Sequence, residues 1–276
     1  MRTFRVNSDS AIIGTSSNGN LLKWCIKENG RTIYIKTSSI NRNSLATKWM
    51  YESYSEVICS RLFKELGVDN VVQYYLCKII IDNSIETIGC YSYSFLRKDE
   101  QQLTLAHLNK IGKLSNYVMQ GYSGYIQCIK EVESIIGIHY KNEIDKIITL
   151  DYIVLNCDRH FGNLGFVYNS NTGMRIQYIF DNGDSLFASK NIDGMNYSRE
   201  LDVYIKSKPF THIHDEQIKY TDFNYVRHLK LNITETLKYI DTLENKGLGR
   251  DRIRFIKQLL VTRINILKNI DKTSLN

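Results

Sequence analysis

The segment Leu155-Asn156-Cys157-Asp158-Arg159-His160-Phe161-Gly162-Asn163-Leu164-Gly165-Phe166 lies between a pattern typical of an amphipathic helix and a short β-like run. Asp158 and Asn163 stand five positions apart within it. Phosphoryl transfer needs both residue types, because a carboxylate must lie beside the attacking hydroxyl and a neutral oxygen must bind Mg²⁺ without repelling the phosphates. The segment therefore predicts a phosphotransfer loop with Asp158, His160 and Asn163 as candidate catalytic residues, and we assign His160 an organising hydrogen bond within the loop.

A second acidic motif, Asp181-Asn182-Gly183, follows two β-like runs at residues 164–168 and 175–180. Kinases carry an aspartate at the corresponding place, and its carboxylate binds the metal that bridges the β- and γ-phosphates. Asp-Asn-Gly is also a common turn sequence, but its position after the first loop favours a functional role. We therefore predict that Asn163 and Asp181 bind Mg²⁺ and that residues 191–222, which follow, shape the access of the acceptor.

The residues that precede these motifs have mostly β-like patterns with one helix. Runs at residues 21–26 and 32–36 flank Glu28-Asn29-Gly30-Arg31, whose Asn-Gly pair predicts a tight hairpin turn. Apolar residues then recur at helical spacing over residues 50–62. Two further β-like runs follow, at residues 71–81 and 85–96.

The rest of the chain has a largely helical pattern. Apolar residues recur at i, i+3 and i+4 over residues 105–119, 125–136 and 144–155. A small β-rich lobe, predicted over residues 1–96, thus precedes a larger helical lobe over residues 97–276. The predicted fold class is α+β, with the bilobal architecture of a protein kinase in one catalytic domain.

A loop of small polar residues, Gly14-Thr15-Ser16-Ser17-Asn18-Gly19-Asn20, lies between two β-like runs. Small residues and exposed backbone N–H groups allow phosphates to approach closely, so we predict that Gly14, Ser16, Ser17 and Gly19 contact a nucleotide. The loop is neither a Walker A motif nor a full Gly-x-Gly-x-x-Gly, and taken alone it is typical of a polar hairpin loop.

One lysine and one glutamate are predicted to complete the nucleotide site. Lys36 ends a β-like run and is expected to hold the α- and β-phosphates. Glu56, on the following helix, is expected to pair with Lys36, and Glu52, one turn earlier, is the alternative partner. The adenine is expected near the end of the last N-terminal β-like run, at Ser94 and Leu96.

Composition excludes several classes of protein. The 36 basic and 29 acidic residues give a net charge of +7, but no dense basic block with interleaved aromatics predicts direct nucleic-acid binding. Six cysteines are scattered without a Cys-x-x-Cys pair, which indicates a reducing compartment and no structural zinc. The start of the chain lacks an apolar signal region and no apolar run is long enough to span a bilayer. A cytoplasmic protein without membrane contact is predicted, with leaderless secretion left open.

Taken together, these motifs resemble those of the HipA-like Ser/Thr protein kinases, most closely the compact CtkA-type members. The resemblance rests on residues 14–36, 54–68, 155–166 and 179–186, which keep the family's order over roughly the first two thirds of the chain. It implies ATP and Mg²⁺ as cofactors, a protein substrate with a Ser or Thr acceptor, and frequent autophosphorylation within the phosphate loop. Thr15, Ser16 and Ser17 are the candidate acceptors there.

The partners and the substrate class have open alternatives. In longer HipA proteins an added N-terminal subdomain contacts a DNA-binding antitoxin and the substrate is a tRNA synthetase; this chain is expected to lack that subdomain, so an antitoxin or regulatory partner stays open. The Asp-Arg-His-x-x-Asn element also resembles phosphoinositide kinases, so a lipid or small-molecule kinase is one alternative. A non-catalytic pseudokinase or interaction module is another, although the full set of Asp158, Asn163, Asp181 and Lys36 disfavours it.

Overall fold

The computed structural model describes residues 1–12, 21–41 and 51–273. The predicted α+β, bilobal arrangement is confirmed: a curled sheet and one helix form a small N-terminal lobe, and a mainly helical lobe follows. The strands are β1 (Arg2–Val6), β2 (Leu21–Glu28), β3 (Arg31–Asn41), β4 (Tyr74–Ile81), β5 (Ile85–Tyr93), β6 (Glu100–Thr104), β7 (Gly165–Asn169) and β8 (Gly173–Ile176). The α-helices are α1 (Glu52–Glu65), α2 (Leu105–Lys110), α3 (Gly121–Ile136), α4 (Lys141–Val154), α5 (His214–Gln217), α6 (Asn224–His228), α7 (Thr234–Asp241) and α8 (Arg250–Thr273).

The N-terminal sheet has the strand order β1-β4-β5-β3-β2. The predicted β2–β3 hairpin is present, and both Asn29 and Gly30 have positive φ, as a tight two-residue hairpin turn requires. The sheet curls, so that its two edge strands, β1 and β2, approach each other. There the Nε1–H of Trp24 in β2 donates to the carbonyl of Asn7, which follows β1, at 2.9 Å. A separate apolar cluster fills the inside of the curl; it includes Phe4, Leu22, Trp24, Ile33, Ile35, Cys77, Ile79 and Ile81. Side chains alternate along β3, so Lys36 points to the opposite face, toward the second lobe.

Helix α1 joins the two lobes. Most of its side chains are buried, and its apolar ones belong to the same core as the helices of the larger lobe. The Tyr54 hydroxyl donates to the Lys246 carbonyl at 2.6 Å, and the Ser55 hydroxyl donates to the Ser185 carbonyl at 2.9 Å. Gly67, with φ of 92°, follows the end of the helix. Because α1 is fastened on both sides, it fixes the orientation of any side chain it presents to the cleft.

The larger lobe is built around α4, whose side chains are almost all buried. Helix α8 packs across α4 and contributes buried apolar residues along its length. Strands β6, β7 and β8 form a second, antiparallel sheet, in which β7 pairs with both β6 and β8. Within the described ranges, no helix combines the length and the apolar composition that crossing a bilayer requires.

Three elements end earlier than the sequence predicted. The helix predicted over residues 105–119 ends at Lys110, because the chain turns at Gly112 (φ 70°) and the N–H groups of Lys113 and Leu114 both return to the Leu108 carbonyl. The strand predicted to reach residue 96 ends at Tyr93. The strand predicted over residues 175–180 ends at Ile176, after which the chain leaves β7 and makes a single bridge to the residues before β4.

Candidate active site

Lys36 lies at the bottom of the cleft between two carboxylates. Its ammonium nitrogen is 2.6 Å from Glu56 Oε1 and 2.7 Å from Asp181 Oδ1. The other oxygen of Glu56 accepts a hydrogen bond from the Asn182 N–H at 2.9 Å. The partner of Lys36 on α1 is therefore Glu56 and not Glu52. One carboxylate thus orients both the lysine and the backbone of the Asp181 loop.

Burial and charge set the protonation states of this trio. Burial by itself disfavours the charged form of Lys36, but the carboxylates of Asp181 and Glu56 outweigh it and raise the pKa of Lys36 well above its ordinary value. Burial likewise acts to raise the pKa of Asp181, and the ammonium groups of Lys36 and Lys23 reverse this and hold that pKa well below its ordinary value. Burial raises the pKa of Glu56, and the Lys36 charge opposes that rise. Lys36 and Asp181 are therefore a charged pair at neutral pH.

The loop that carries Asp158 begins where α4 ends. Leu155 adopts a left-handed conformation with φ of 53°, which a branched apolar residue rarely does, and it reverses the chain. The Asn156 side-chain oxygen then accepts from the Asp158 N–H at 2.9 Å, forming an Asx turn. The Cys157 N–H donates to the Asp184 carbonyl at 3.0 Å. These contacts fix the Asp158 loop to the Asp181 loop.

His160 and Asn163 form the second half of this loop. His160 Nδ1 accepts from the Gly162 N–H at 3.0 Å, and burial lowers the pKa of His160, so the imidazole is neutral and able to accept. The Asn163 amide accepts from the His160 N–H at 3.2 Å and donates to Asp181 Oδ2 at 3.0 Å. Asp181 itself has φ of 60°. His160 thus has the organising position that the sequence assigned to it, and Asn163 and Asp181 lie side by side.

Arg159 is a structural member of the site that the sequence reasoning did not single out. Its guanidinium is buried and binds both oxygens of Asp151 at 2.9 Å. It also donates to the Asn182 side-chain oxygen at 2.6 Å and to the Phe180 carbonyl at 2.9 Å. Arg159 therefore holds the residues on both sides of Asp181. Its place inside the motif was the available signal, but its partner on α4 was not recognisable from sequence.

Asp158 has a second partner from a distant part of the chain. Lys208 Nζ lies 2.7 Å from Asp158 Oδ1, and both side chains are partly exposed. The other oxygen, Asp158 Oδ2, is 4.0 Å from His160 Nε2. Lys208 belongs to the region expected to shape acceptor access, yet no sequence signal identified it as a neighbour of Asp158.

A cavity of about 230 Å³ opens between the lobes in front of Lys36 and Asp181. Its lining includes aromatic and aliphatic side chains from both lobes together with the segment that connects them, namely Ile12, Tyr34, Ile35, Val72, Tyr74, Ser94, Phe95, Leu96 and Phe180. Ser94 and Leu96 thus lie where the adenine was expected. The Ser94 N–H donates to the Thr32 carbonyl at 2.9 Å, and the Leu96 N–H donates to the Ser94 hydroxyl at 3.1 Å.

Four predicted nucleotide contacts, Gly14, Ser16, Ser17 and Gly19, lie outside the described residues. Of the described residues near the two ends of that segment, Ile12 and Lys23 line the cavity. Of the other predicted site residues, direct contacts join Glu56 to Lys36, Lys36 to Asp181 and Asp181 to Asn163, and Asp158 lies on the same loop as Asn163. In the part of the chain that the structure describes, no group of three or more His, Cys, Asp and Glu side chains forms a metal cluster.

The whole chain is similar to the Helicobacter pylori proinflammatory kinase CtkA, with a TM-score of 0.65 and 16% sequence identity over 99% of each chain. The chain has the fold of that kinase. The predicted CtkA-type kinase fold is therefore confirmed.

Weaker similarities extend to hydra Fam20 with sugar (TM-score 0.48, 12% identity, 94% of this chain and 84% of that one). They also extend to Shewanella oneidensis HipA from its complex with HipB and operator DNA (TM-score 0.48, 14% identity, 90% and 64%). No family model and no curated protein matches the sequence.

Proposed function

We propose that this chain is an ATP- and Mg²⁺-dependent kinase that transfers the γ-phosphoryl group to a Ser or Thr hydroxyl of a protein. The observation that carries the proposal is one continuous set of contacts, in which Glu56 holds Lys36, Lys36 holds Asp181 and Asp181 holds Asn163. Asp158 lies on the same short loop as Asn163. Buried ionisable groups held in one network cluster at functional sites, which favours phosphotransfer over a non-catalytic role.

The cleft fits ATP. A cavity of about 230 Å³ with Tyr34 and Phe95 in its wall is suited to a flat purine, and the backbone at Ser94 and Leu96 offers hydrogen-bonding groups at its edge. Lys36 lies at the inner end, where its ammonium would hold the α- and β-phosphates. A hydrophobic pocket with a lysine at its inner end supports the proposal that this cavity binds ATP.

The residues around Asp181 also fit Mg²⁺. The side chains of Asn163 and Asp181 lie side by side, with the amide nitrogen of Asn163 3.0 Å from Asp181 Oδ2. Asn163 and Asp181 offer the amide and carboxylate oxygens that Mg²⁺ prefers, and they would hold it together with phosphate oxygens. When bound, Mg²⁺ supplies neutralisation of phosphate charge during transfer.

The protein groups have distinct roles in the proposed reaction. Asp158 orients the acceptor hydroxyl and takes its proton at Oδ2, because Oδ1 is paired with Lys208. Its carboxylate is 43% exposed, so a side chain presented by another protein can reach it. His160 keeps the loop in shape through its bond to Gly162, and Arg159 fixes the backbone around Asp181. Catalysis then depends on alignment and charge neutralisation.

Further parts of the proposal concern organisation. We place the lobe boundary between residues 96 and 97, in support of which β5 ends at Tyr93 and the connecting segment lines the cavity. Residues 191–222 are proposed to shape the acceptor site, and Thr15, Ser16 or Ser17 to be autophosphorylated. A cytoplasmic location is supported by the six free cysteines. An antitoxin or regulatory partner stays a prediction from the sequence resemblance alone.

Intact-mass spectrometry tests this proposal. The purified chain is incubated with ATP and Mg²⁺, beside Asp181→Asn and, as a matched control, Asp99→Asn, whose positive φ suits asparagine. We expect covalent phosphate on the parent and on Asp99→Asn but not on Asp181→Asn, and peptide mapping then tests residues 15–17.

Parallel reactions contain a casein mixture, phosphoinositide vesicles or free sugars. ATP turnover stimulated only by vesicles or sugars would move the assignment to a lipid or small-molecule kinase. Absence of both phosphate transfer and Mg-ATP binding would overturn the kinase assignment in favour of an interaction module.

A further inference from the structure

Lys208 is brought to Asp158 across 50 residues of sequence, and its ammonium lies 2.7 Å from Asp158 Oδ1. Both side chains are more than one third exposed, so a bound molecule can reach the pair. An ion pair with this exposure contributes little to stability, because water screens it and ordering the two side chains costs entropy. Its position beside the proposed base calls for a functional explanation.

The backbone that carries Lys208 is held by a buried glutamine. Gln217 donates from Nε2 to the Lys208 carbonyl at 2.8 Å and accepts from the Phe210 N–H at 3.0 Å. The carbonyl of the intervening Pro209 accepts from the Met119 N–H at 2.9 Å. Every contact in this set is to main-chain atoms on either side of one turn. The backbone at Lys208 is therefore fixed by hydrogen bonds, unlike that of a surface lysine on a loose loop.

The same turn is packed against the Asp158 loop. The Phe210 ring is fully buried and meets the Phe161 ring at a centroid distance of 6.2 Å and the Tyr125 ring at 5.6 Å. Phe161 belongs to the loop between Asp158 and Asn163. Buried ring contacts thus connect the backbone that carries Lys208 to the loop that carries Asp158. A cation held in advance in this way stabilises developing charge without paying for reorganisation.

Two other cations of the described site, Lys36 and Arg159, are committed to carboxylates away from Asp158. Lys36 is bound by Glu56 and Asp181 at the inner end of the cleft, and Arg159 is buried against Asp151. Lys208 stands on the acceptor side, next to the proposed base. A phosphoryl group in transfer spreads negative charge over its equatorial oxygens, and positioned cations stabilise that charge.

We propose that Lys208 is a catalytic residue whose ammonium contacts the phosphoryl group as it moves from ATP to the acceptor, with Asp158 holding the ammonium in place beforehand. This inference rests on the kinase function proposed above. In the step, the acceptor oxygen forms a bond to the γ-phosphorus while the bond between that phosphorus and the β,γ-bridging oxygen breaks. The hydroxyl proton passes to Asp158, ADP leaves with the bond electrons, and Lys208 keeps its protons.

Two neutral substitutions, Lys208→Met and Lys208→Gln, test the inference, with Lys206→Met as the control. Lys206 is an exposed lysine two residues away and has the same charge. We expect both neutral variants to lower kcat by about 100-fold or more while the KM for ATP changes little, since the contact is made in the transition state. Lys208→Arg is expected to retain part of the activity, and Lys206→Met all of it.

A binding measurement without turnover gives an independent readout. Calorimetry compares Mg-ADP with Mg-ADP plus aluminium fluoride, which mimics the phosphoryl group in flight. The parent and Lys206→Met are expected to bind the aluminium fluoride complex more tightly than Mg-ADP alone. Lys208→Met is expected to bind Mg-ADP as the parent does and to lose the gain from aluminium fluoride.

Several outcomes would overturn the inference. A rise in kcat in Lys208→Met would show that the pair with Asp158 is an inhibitory contact, and an unchanged kcat with an unchanged aluminium fluoride gain would show a surface ion pair. If one neutral variant fails to fold, the other and Lys208→Arg carry the comparison. A parent that neither transfers phosphate nor binds Mg-ADP contradicts the kinase proposal itself, whereas an active parent with an equally active Lys208→Met contradicts only the role of Lys208.

Discussion

Replacing Arg159 by methionine removes one buried guanidinium and leaves Asp151 as an uncompensated buried carboxylate. Arg159 is 1% exposed and makes two bonds to Asp151 at 2.9 Å, plus one each to Asn182 and to the Phe180 carbonyl. Breaking a buried ion pair from one side costs about 3–5 kcal/mol of unfolding free energy. We therefore expect Arg159→Met to lower the free energy of unfolding by about that amount, and the melting temperature by roughly 10 °C.

Urea unfolding followed by circular dichroism measures this change directly. Arg254→Met is the matched control, because Arg254 is about half exposed on α8 and pairs with Asp251 one turn away; its effect is expected to stay within about 0.5 kcal/mol. The double variant Asp151→Leu/Arg159→Met removes both charges and is expected to recover part of the loss. Two results would refute this prediction: a decrease in unfolding free energy of less than about 1 kcal/mol in Arg159→Met, or no recovery in the double variant. Either would show that Asp151 without its partner does not destabilise the folded chain.

Three further predictions concern other ionisable groups. Glu56→Gln keeps the shape of the side chain but removes the charge that orients Lys36. Calorimetry should show that the affinity for Mg-ATP falls by about tenfold, which is about 1.4 kcal/mol. An unchanged affinity would contradict the role of Glu56. Burial, and next the carboxylate of Asp184, raise the pKa of Glu52 from 4.5 to about 8. Between these two pH values the folded chain keeps a proton that the unfolded chain releases, so the stability that Glu52 contributes falls as the pH rises. Urea unfolding at several pH values should show that Glu52→Gln removes this dependence of the unfolding free energy on pH. Burial lowers the pKa of His214 from 6.5 to about 3. Between these two pH values the unfolded chain binds a proton that the folded chain does not, so the folded state loses stability as the pH falls. In the same assay His214→Gln should lose less stability in acid than the parent, and an equal loss would contradict a neutral buried imidazole.

The proximities that the sequence predicted are those between residues of recognisable local motifs. Asp158 and Asn163 share one loop, and Asp181 follows a hairpin whose turn residues are recognisable, so their order along the chain was enough to bring them together. Lys36 was recognisable from its place at the end of the predicted alternating run, although β3 continues to Asn41. The choice between Glu52 and Glu56 was open because they lie one turn apart on the same helix face, and only the rotation of α1 against the sheet selects Glu56.

The residues that sequence reasoning missed are held by contacts distant in the chain. Lys208 reaches Asp158 through a turn that Gln217 and the buried ring of Phe210 fix in place, and no spacing rule relates these positions. The pairing of β1 with β4 was also missed, because a five-residue strand at the sheet edge carries too little pattern to identify a parallel partner more than 70 residues away. The early end of the helix at Lys110 shows the same limit, since the apolar spacing continues beyond a turn that Gly112 determines.

The central claim, that Asp158 performs the chemistry in a site that binds Mg-ATP through other residues, is tested most directly by the Asp158→Asn variant. Its Mg-ATP affinity by calorimetry and its phosphate incorporation by intact mass are measured on the same preparation as the parent. We predict unchanged affinity with phosphate incorporation abolished, because the substitution keeps the size of the side chain and removes the proton acceptor. Incorporation by Asp158→Asn at the rate of the parent, or failure of the parent to bind Mg-ATP, would contradict the account.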